Sequence, residues 1–112
     1  MGKDRSKLNP TGWWESFYEL TQIPRPSKRE GKAIDFIEKF GHSLGYETIR
    51  DEVGNVIIRK PATAGMENRK GIILQGHIDM VPQKNSDKQH DFDRAAIETI
   101  IDEGWVKANG TT

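Results

Sequence analysis

The chain has 112 residues, enough for one small domain or part of a larger one, and 34% of them are hydrophobic, which is lean for an α/β domain that must cover both faces of a sheet. Lys plus Arg and Asp plus Glu number 17 each, and this formal net charge of zero argues against nucleic acid as the main partner, because phosphate neutralisation needs a clustered basic excess. There is no cysteine, so disulfides and thiolate zinc sites are excluded and any metal must be held by imidazole and carboxylate; no apolar run is long enough for a signal peptide or a membrane span, and a cytoplasmic location is expected.

At the start, Met1-Gly2-Lys3-Asp4-Arg5-Ser6 matches a loose myristoylation pattern that arises often by chance. Asn9-Pro10 reads as a helix start, with Asn9 as the cap. Trp13, Phe17 and Leu20 then recur at helical spacing, with Trp14 and Tyr18 widening the stripe, and Pro24 and Pro26 end the element. A helix over 10–22 follows. Ser27-Lys28-Arg29-Glu30 has the form of a capping box, in which the Ser hydroxyl and the Glu carboxylate each satisfy an orphan backbone N–H. Behind it Ile34, Ile37 and Leu44 share a face and Gly45 supplies the stop, so a second helix is predicted over 28–44. His42, near its end, suits the helix dipole better than a metal.

Residues 46–51 and 55–60 are short strand-like runs joined by Glu52-Val53-Gly54-Asn55, which has the Gly and Asn of a tight hairpin. Residues 61–70 form a polar loop. Gly71-Ile72-Ile73-Leu74-Gln75 is apolar without alternation, the pattern of a strand buried on both faces, and is expected to be the most buried strand of the sheet. Residues 82–93 are polar and irregular. Ile97 to Ile101 and Trp105 to Ala108 read as a final hairpin about Asp102-Glu103-Gly104.

The chemistry concentrates in Gln75-Gly76-His77-Ile78-Asp79-Met80, directly after the predicted buried strand. In open α/β sheets, sites form beyond the carboxyl ends of such strands. Residues two apart in extended chain point the same way, so His77 and Asp79 are expected to share a face. Imidazole binds divalent metals, and a neighbouring carboxylate can fix its tautomer and orientation. The same spacing also fits a buried His hydrogen-bonded to a local Asp with no metal, and spacing alone leaves both readings open. His90-Asp91-Phe92-Asp93 offers further donors but reads better as an exposed polar turn. No phosphate-binding Gly-rich loop, Gly-x-Ser-x-Gly elbow or Cys nucleophile occurs.

Gly71 to Pro82 resembles the first metal-binding segment of the aminoacyl-histidine dipeptidases (Xaa-His dipeptidase, peptidase D), dizinc exopeptidases related to peptidase T and the aminoacylases. Other blocks agree in order: Ile23-Pro24-Arg25-Pro26-Ser27, Asp51-Glu52-Val53-Gly54-Asn55-Val56, Arg59 to Asn68, His90-Asp91-Phe92, and Trp105 to Thr112. The likeness runs from about Leu8 to the end of the chain.

This resemblance implies an α/β fold. The expected architecture is part of a three-layer zinc-exopeptidase catalytic domain, two N-terminal helices packed on a mixed sheet, incomplete at the C-terminus. Residues 1–112 are then the N-terminal portion of that domain, with the rest of it and a lid domain beyond. It further implies that His77 is a ligand of one zinc and that Asp79 is the catalytic-site residue holding its imidazole. The complete enzyme would use two zinc ions, other divalent metals being compatible, to activate a water that hydrolyses Xaa-His dipeptides of the carnosine type. The family's next block, Gly-Ala-Asp-Asn-Gly, is expected just past Thr112, and the Glu-Glu pair with the general base later still. The 112 residues alone are therefore expected to be inactive. A dipeptide is the implied partner, with a homodimer compatible, and neither nucleic acid nor membrane is expected. A second reading is a non-catalytic protein of peptidase origin that binds a partner through an open sheet edge.

Overall fold

A computed structural model describes residues 7–112, and the Met1–Ser6 pattern lies outside them. The elements in order are α1 (Thr11–Thr21), α2 (Gly31–Ser43), β1 (Glu47–Arg50), β2 (Val56–Arg59), β3 (Thr99–Asp102) and β4 (Trp105–Ala108). Both helices and both hairpins stand where the sequence pattern puts them, most with ends shifted by one to three residues, and β3 takes in Asp102, which was read as turn. The described chain divides into two compact units, one of residues 7–33 with 79–112 and one of residues 34–78.

In the first unit, the residue at the cap of α1 is Pro10, which has no side-chain oxygen, so the Asn9 cap is not made. Asn9 instead offers its backbone carbonyl to the indole N–H of Trp14 at 3.2 Å. The aromatic stripe packs largely on itself: Trp13 stacks on Phe17 at 5.9 Å and meets Trp14 edge-on at 4.7 Å. Trp13 stays 58% exposed. The end of α1 is buried at Thr21, whose carbonyl accepts the Ile97 N–H at 3.0 Å and so ties the helix to the approach to β3. In the β3–β4 hairpin, Thr99 opposes Ala108 and Asp102 opposes Trp105. Its turn residues Glu103 and Gly104 both have positive φ, 49° and 81°, the geometry that matches the twist of a two-residue hairpin.

In the second unit, α2 packs on the β1–β2 hairpin through Gly41, where the helix comes so near the strands that a Cβ would stand 2.3 Å from Thr48 Oγ1. The Arg50 guanidinium on β1 reaches back to Asp35 on α2 at 2.8 Å. Gly45, at φ 73°, closes the helix by donating to the His42 carbonyl at 2.9 Å, as its position predicts. β1 and β2 are antiparallel, Glu47 opposite Arg59 and Arg50 opposite Val56. Asp51 builds the turn between them. Its Oδ1 accepts from the N–H groups of Val53 and Asn55 at 3.1 and 2.8 Å, and its Oδ2 accepts from the Asn55 side-chain amide at 2.7 Å.

The two helices and the strands of the expected α/β fragment are present, and further details differ from the sequence reading. The sheet is not one mixed sheet: the described residues form two separate two-stranded antiparallel sheets. Residues 71–76 are not a strand, and they are not buried. Ile72, Ile73 and Leu74 are 82%, 93% and 89% exposed. A strand exists only where a neighbour completes its ladder, and each hairpin here pairs only with itself. The capping box is not formed either. Ser27 turns elsewhere, and the Glu30 carboxylate accepts from the Lys28 N–H, with Lys28 at φ 71°.

Candidate metal-ligating segment

The Ile23–Ser27 turn and the Asp79–Met80 dipeptide, far apart in sequence, meet within the first unit. Pro24 and Pro26 hold the backbone extended, because their rings fix φ and bias the preceding residue away from the helix. That extended stretch forms a parallel bridge between Pro26 and Met80. The Met80 N–H donates to the Arg25 carbonyl at 2.9 Å, and the Ser27 N–H donates to the Met80 carbonyl at 3.1 Å. Pro26 is buried at this junction.

Arg25 fixes the turn to α1. Its guanidinium donates to the Leu20 and Ile23 carbonyls at 2.5 and 3.4 Å, joining at Leu20 the Ile23 N–H, which donates there at 3.2 Å. Burial pushes this guanidinium below its ordinary value. Farther along, Arg29 pairs with Asp93 at 3.0 Å.

The two residues singled out by the sequence lie on either side of the division between the units. His77 is exposed and belongs to the second, while Asp79 is half-buried and belongs to the first. The strand that was to aim both side chains one way is not formed, so the period-of-two argument does not place them. Asp79 is placed by another contact: its Oδ2 accepts the Ser27 hydroxyl at 2.5 Å. Sequence reasoning missed this pair, because Ser27 also satisfied a capping-box pattern.

The other candidate stretch is a turn, as its composition predicts, with Asp91 and Asp93 exposed and His90 and Phe92 half-buried. The Asp91 carbonyl accepts from Ala95 at 2.8 Å and its carboxylate from the Asp93 N–H at 3.0 Å. The His90 ring lies edge-on to Phe92 at 4.6 Å, half-buried, with Nε2 lacking a hydrogen-bond partner among the described residues.

Nowhere among the described residues do three or more His, Asp or Glu side chains gather as a metal-binding group. What the described residues offer is one exposed imidazole, His77, and two residues on a carboxylate whose Oδ2 accepts from the Ser27 hydroxyl.

No family model matches the chain. The Escherichia coli (strain K12) cytosol non-specific dipeptidase is 50% identical over 107 residues, which covers 96% of this chain and 22% of that protein. The crystal structure of aminoacylhistidine dipeptidase from Vibrio alginolyticus matches at a TM-score of 0.92 with 48% identity, over 98% of this chain and 22% of that one. The resemblance to aminoacyl-histidine dipeptidases thus holds in sequence and in fold, and the chain spans about a fifth of the length of these relatives.

Proposed function

Starting from a chain that matches part of a dipeptidase along nearly its whole length, we propose that residues 1–112 carry the first metal-ligating segment of a zinc-dependent enzyme hydrolysing Xaa-His dipeptides of the carnosine type. They are one portion of its catalytic domain. The observation that carries the reading is the match at 50% identity over 96% of the chain, a span that includes His77 and Asp79.

His77 is the zinc ligand contributed by this segment, and Asp79 holds its imidazole. A ring nitrogen can bind a metal only in the right tautomer and direction, and a carboxylate beside it selects both. Zinc, when bound, polarises the scissile carbonyl and acidifies the attacking water. The relative's name, and the lack among the described residues of any helix long and apolar enough to cross a membrane, support a cytosolic setting. The physiological partner is then a dipeptide, with a homodimer compatible.

A second reading has one observation in its favour. The apolar run Ile72-Ile73-Leu74 is exposed, and an extended apolar segment with unpaired backbone is a surface on which another polypeptide can add a strand.

A segment exchange separates the two. This chain replaces the matching span of the E. coli dipeptidase, and zinc content and carnosine hydrolysis are measured. Zinc-dependent hydrolysis that disappears in His77→Ala is expected. A soluble, zinc-loaded chimera that leaves carnosine intact would count against the dipeptidase reading, and an unchanged His77→Ala against the ligand assignment.

A further inference from the structure

Asp79 can orient His77 only if it is itself held. The aspartate carboxylate turns about two side-chain torsions, and the outer one has a broad, shallow profile. In the structure that freedom is removed by a residue 52 positions away, the Ser27 hydroxyl donating to Oδ2. Backbone fixes the donor in turn. The Pro26–Met80 bridge, with the Met80 N–H on the Arg25 carbonyl and the Ser27 N–H on the Met80 carbonyl, sets the two side chains side by side. The hydroxyl is not used as a cap, since α2 begins at Gly31 and the Lys28 N–H goes to the Glu30 carboxylate.

We infer that Ser27 is a positioning residue, whose hydroxyl locks the Asp79 carboxylate in the orientation from which it directs the His77 imidazole toward the metal. This inference rests on the ligand and orienter roles proposed above. It assigns to the Ile23–Ser27 turn a task beyond ending one helix and leading to the next: the turn fixes the Asp79 carboxylate. Groups that orient a metal ligand from behind are typically worth about 10–100-fold in metal affinity or activity. Ser27, one step further out than Asp79, belongs at the lower end.

The test measures zinc retention against a competing chelator in the chimera described above, alongside the melting temperature of the zinc-free protein. Ser27→Ala is expected to weaken zinc retention about tenfold, and Ser27→Thr, which keeps the hydroxyl, to restore most of it. The zinc-free melting temperature should be the same for all three. In an Asp79→Ala background, Ser27→Ala should add nothing, because the link it acts through is gone. Zinc retention unchanged in Ser27→Ala, a Ser27→Thr as weak as Ser27→Ala, or a full further loss on top of Asp79→Ala each overturns the inference. His77→Ala separates the two levels: if it keeps its zinc, the ligand assignment fails and the inference falls with it; if it loses zinc while Ser27→Ala does not, only the inference fails. Side-chain couplings of Asp79 in the 112-residue chain give a measurement independent of zinc and of the chimera. One Asp79 rotamer that becomes averaged in Ser27→Ala supports the lock, and an unaltered rotamer overturns it.

Discussion

At Gly41 the absence of a side chain decides how close α2 can come to its hairpin. A Cβ there would lie 2.3 Å from Thr48 Oγ1 and 3.0 Å from Ile58, and Thr48 is β-branched and already hydrogen-bonded to the Tyr46 carbonyl, so it yields poorly. Gly41→Ala should therefore destabilise the chain by about 1–3 kcal/mol, despite the better helix propensity of alanine, as read by urea unfolding. Asp51 is a second residue with a local, testable task. Hydrogen bonds from the Asn55 side chain and backbone, foremost, hold its carboxyl below the usual carboxylate range. A depressed folded value means that its contribution is fully present above the unfolded pKa, near ~3.9, and is lost as pH falls through the folded value. The Val53 and Asn55 amides should accordingly lose hydrogen-exchange protection, corrected for intrinsic rate, on acidification below that point, and Asp51→Ala should remove the pH dependence. Protection that persists in Asp51→Ala would show that the turn stands without its carboxylate.

At the scale of elements, what could be read from sequence was what depends on neighbours close in the chain. The α2 pattern of Ile34, Ile37 and Leu44 with Gly45 behind it, and the two hairpins with Gly54 and Gly104 in their turns, need nothing from afar. Residues 71–76 were misjudged because burial on both faces is a property of what covers a segment, not of the segment. Composition correctly marked Ile72-Ile73-Leu74 as apolar, but no strand among the described residues pairs with them. Ser27 was misjudged for a related reason, since a local capping pattern and a contact 52 residues distant competed for one hydroxyl. His77 and Asp79 were visible as donor types, while the hydroxyl that holds Asp79 was not. The exposed run gives a prediction of its own. In the isolated chain, the Ile72–Leu74 amides should exchange at close to unstructured rates while those of β1 and β2 are protected. Strong protection at 72–74 would mean that the run finds a strand partner, for instance in a second copy.

At the scale of the whole molecule, the 112 residues span 22% of each dipeptidase that they match. The core is thin: Ala33 is fully buried, yet Trp105 and Val53 are 69% and 84% exposed. No group of three or more His, Asp or Glu side chains gathers among the described residues to hold a metal. A closed four-ligand zinc site is worth roughly 10–16 kcal/mol. One imidazole contributes about a quarter of that, roughly 2.5–4 kcal/mol, which corresponds to a dissociation constant of millimolar order. Under the proposed roles, Asp79 and Ser27 would orient this one ligand and add no further one. Catalysis suffers more than binding, because groups that act as a unit fail together when some are missing. The 112-residue chain should thus bind zinc only at about millimolar concentration by calorimetric titration and should leave carnosine intact. Micromolar affinity that is lost in His77→Ala would reveal ligands not recognised here, with His90 and Asp91 the first to test. Zinc-dependent hydrolysis above the His77→Ala background would show that copies of the chain complete a site between them.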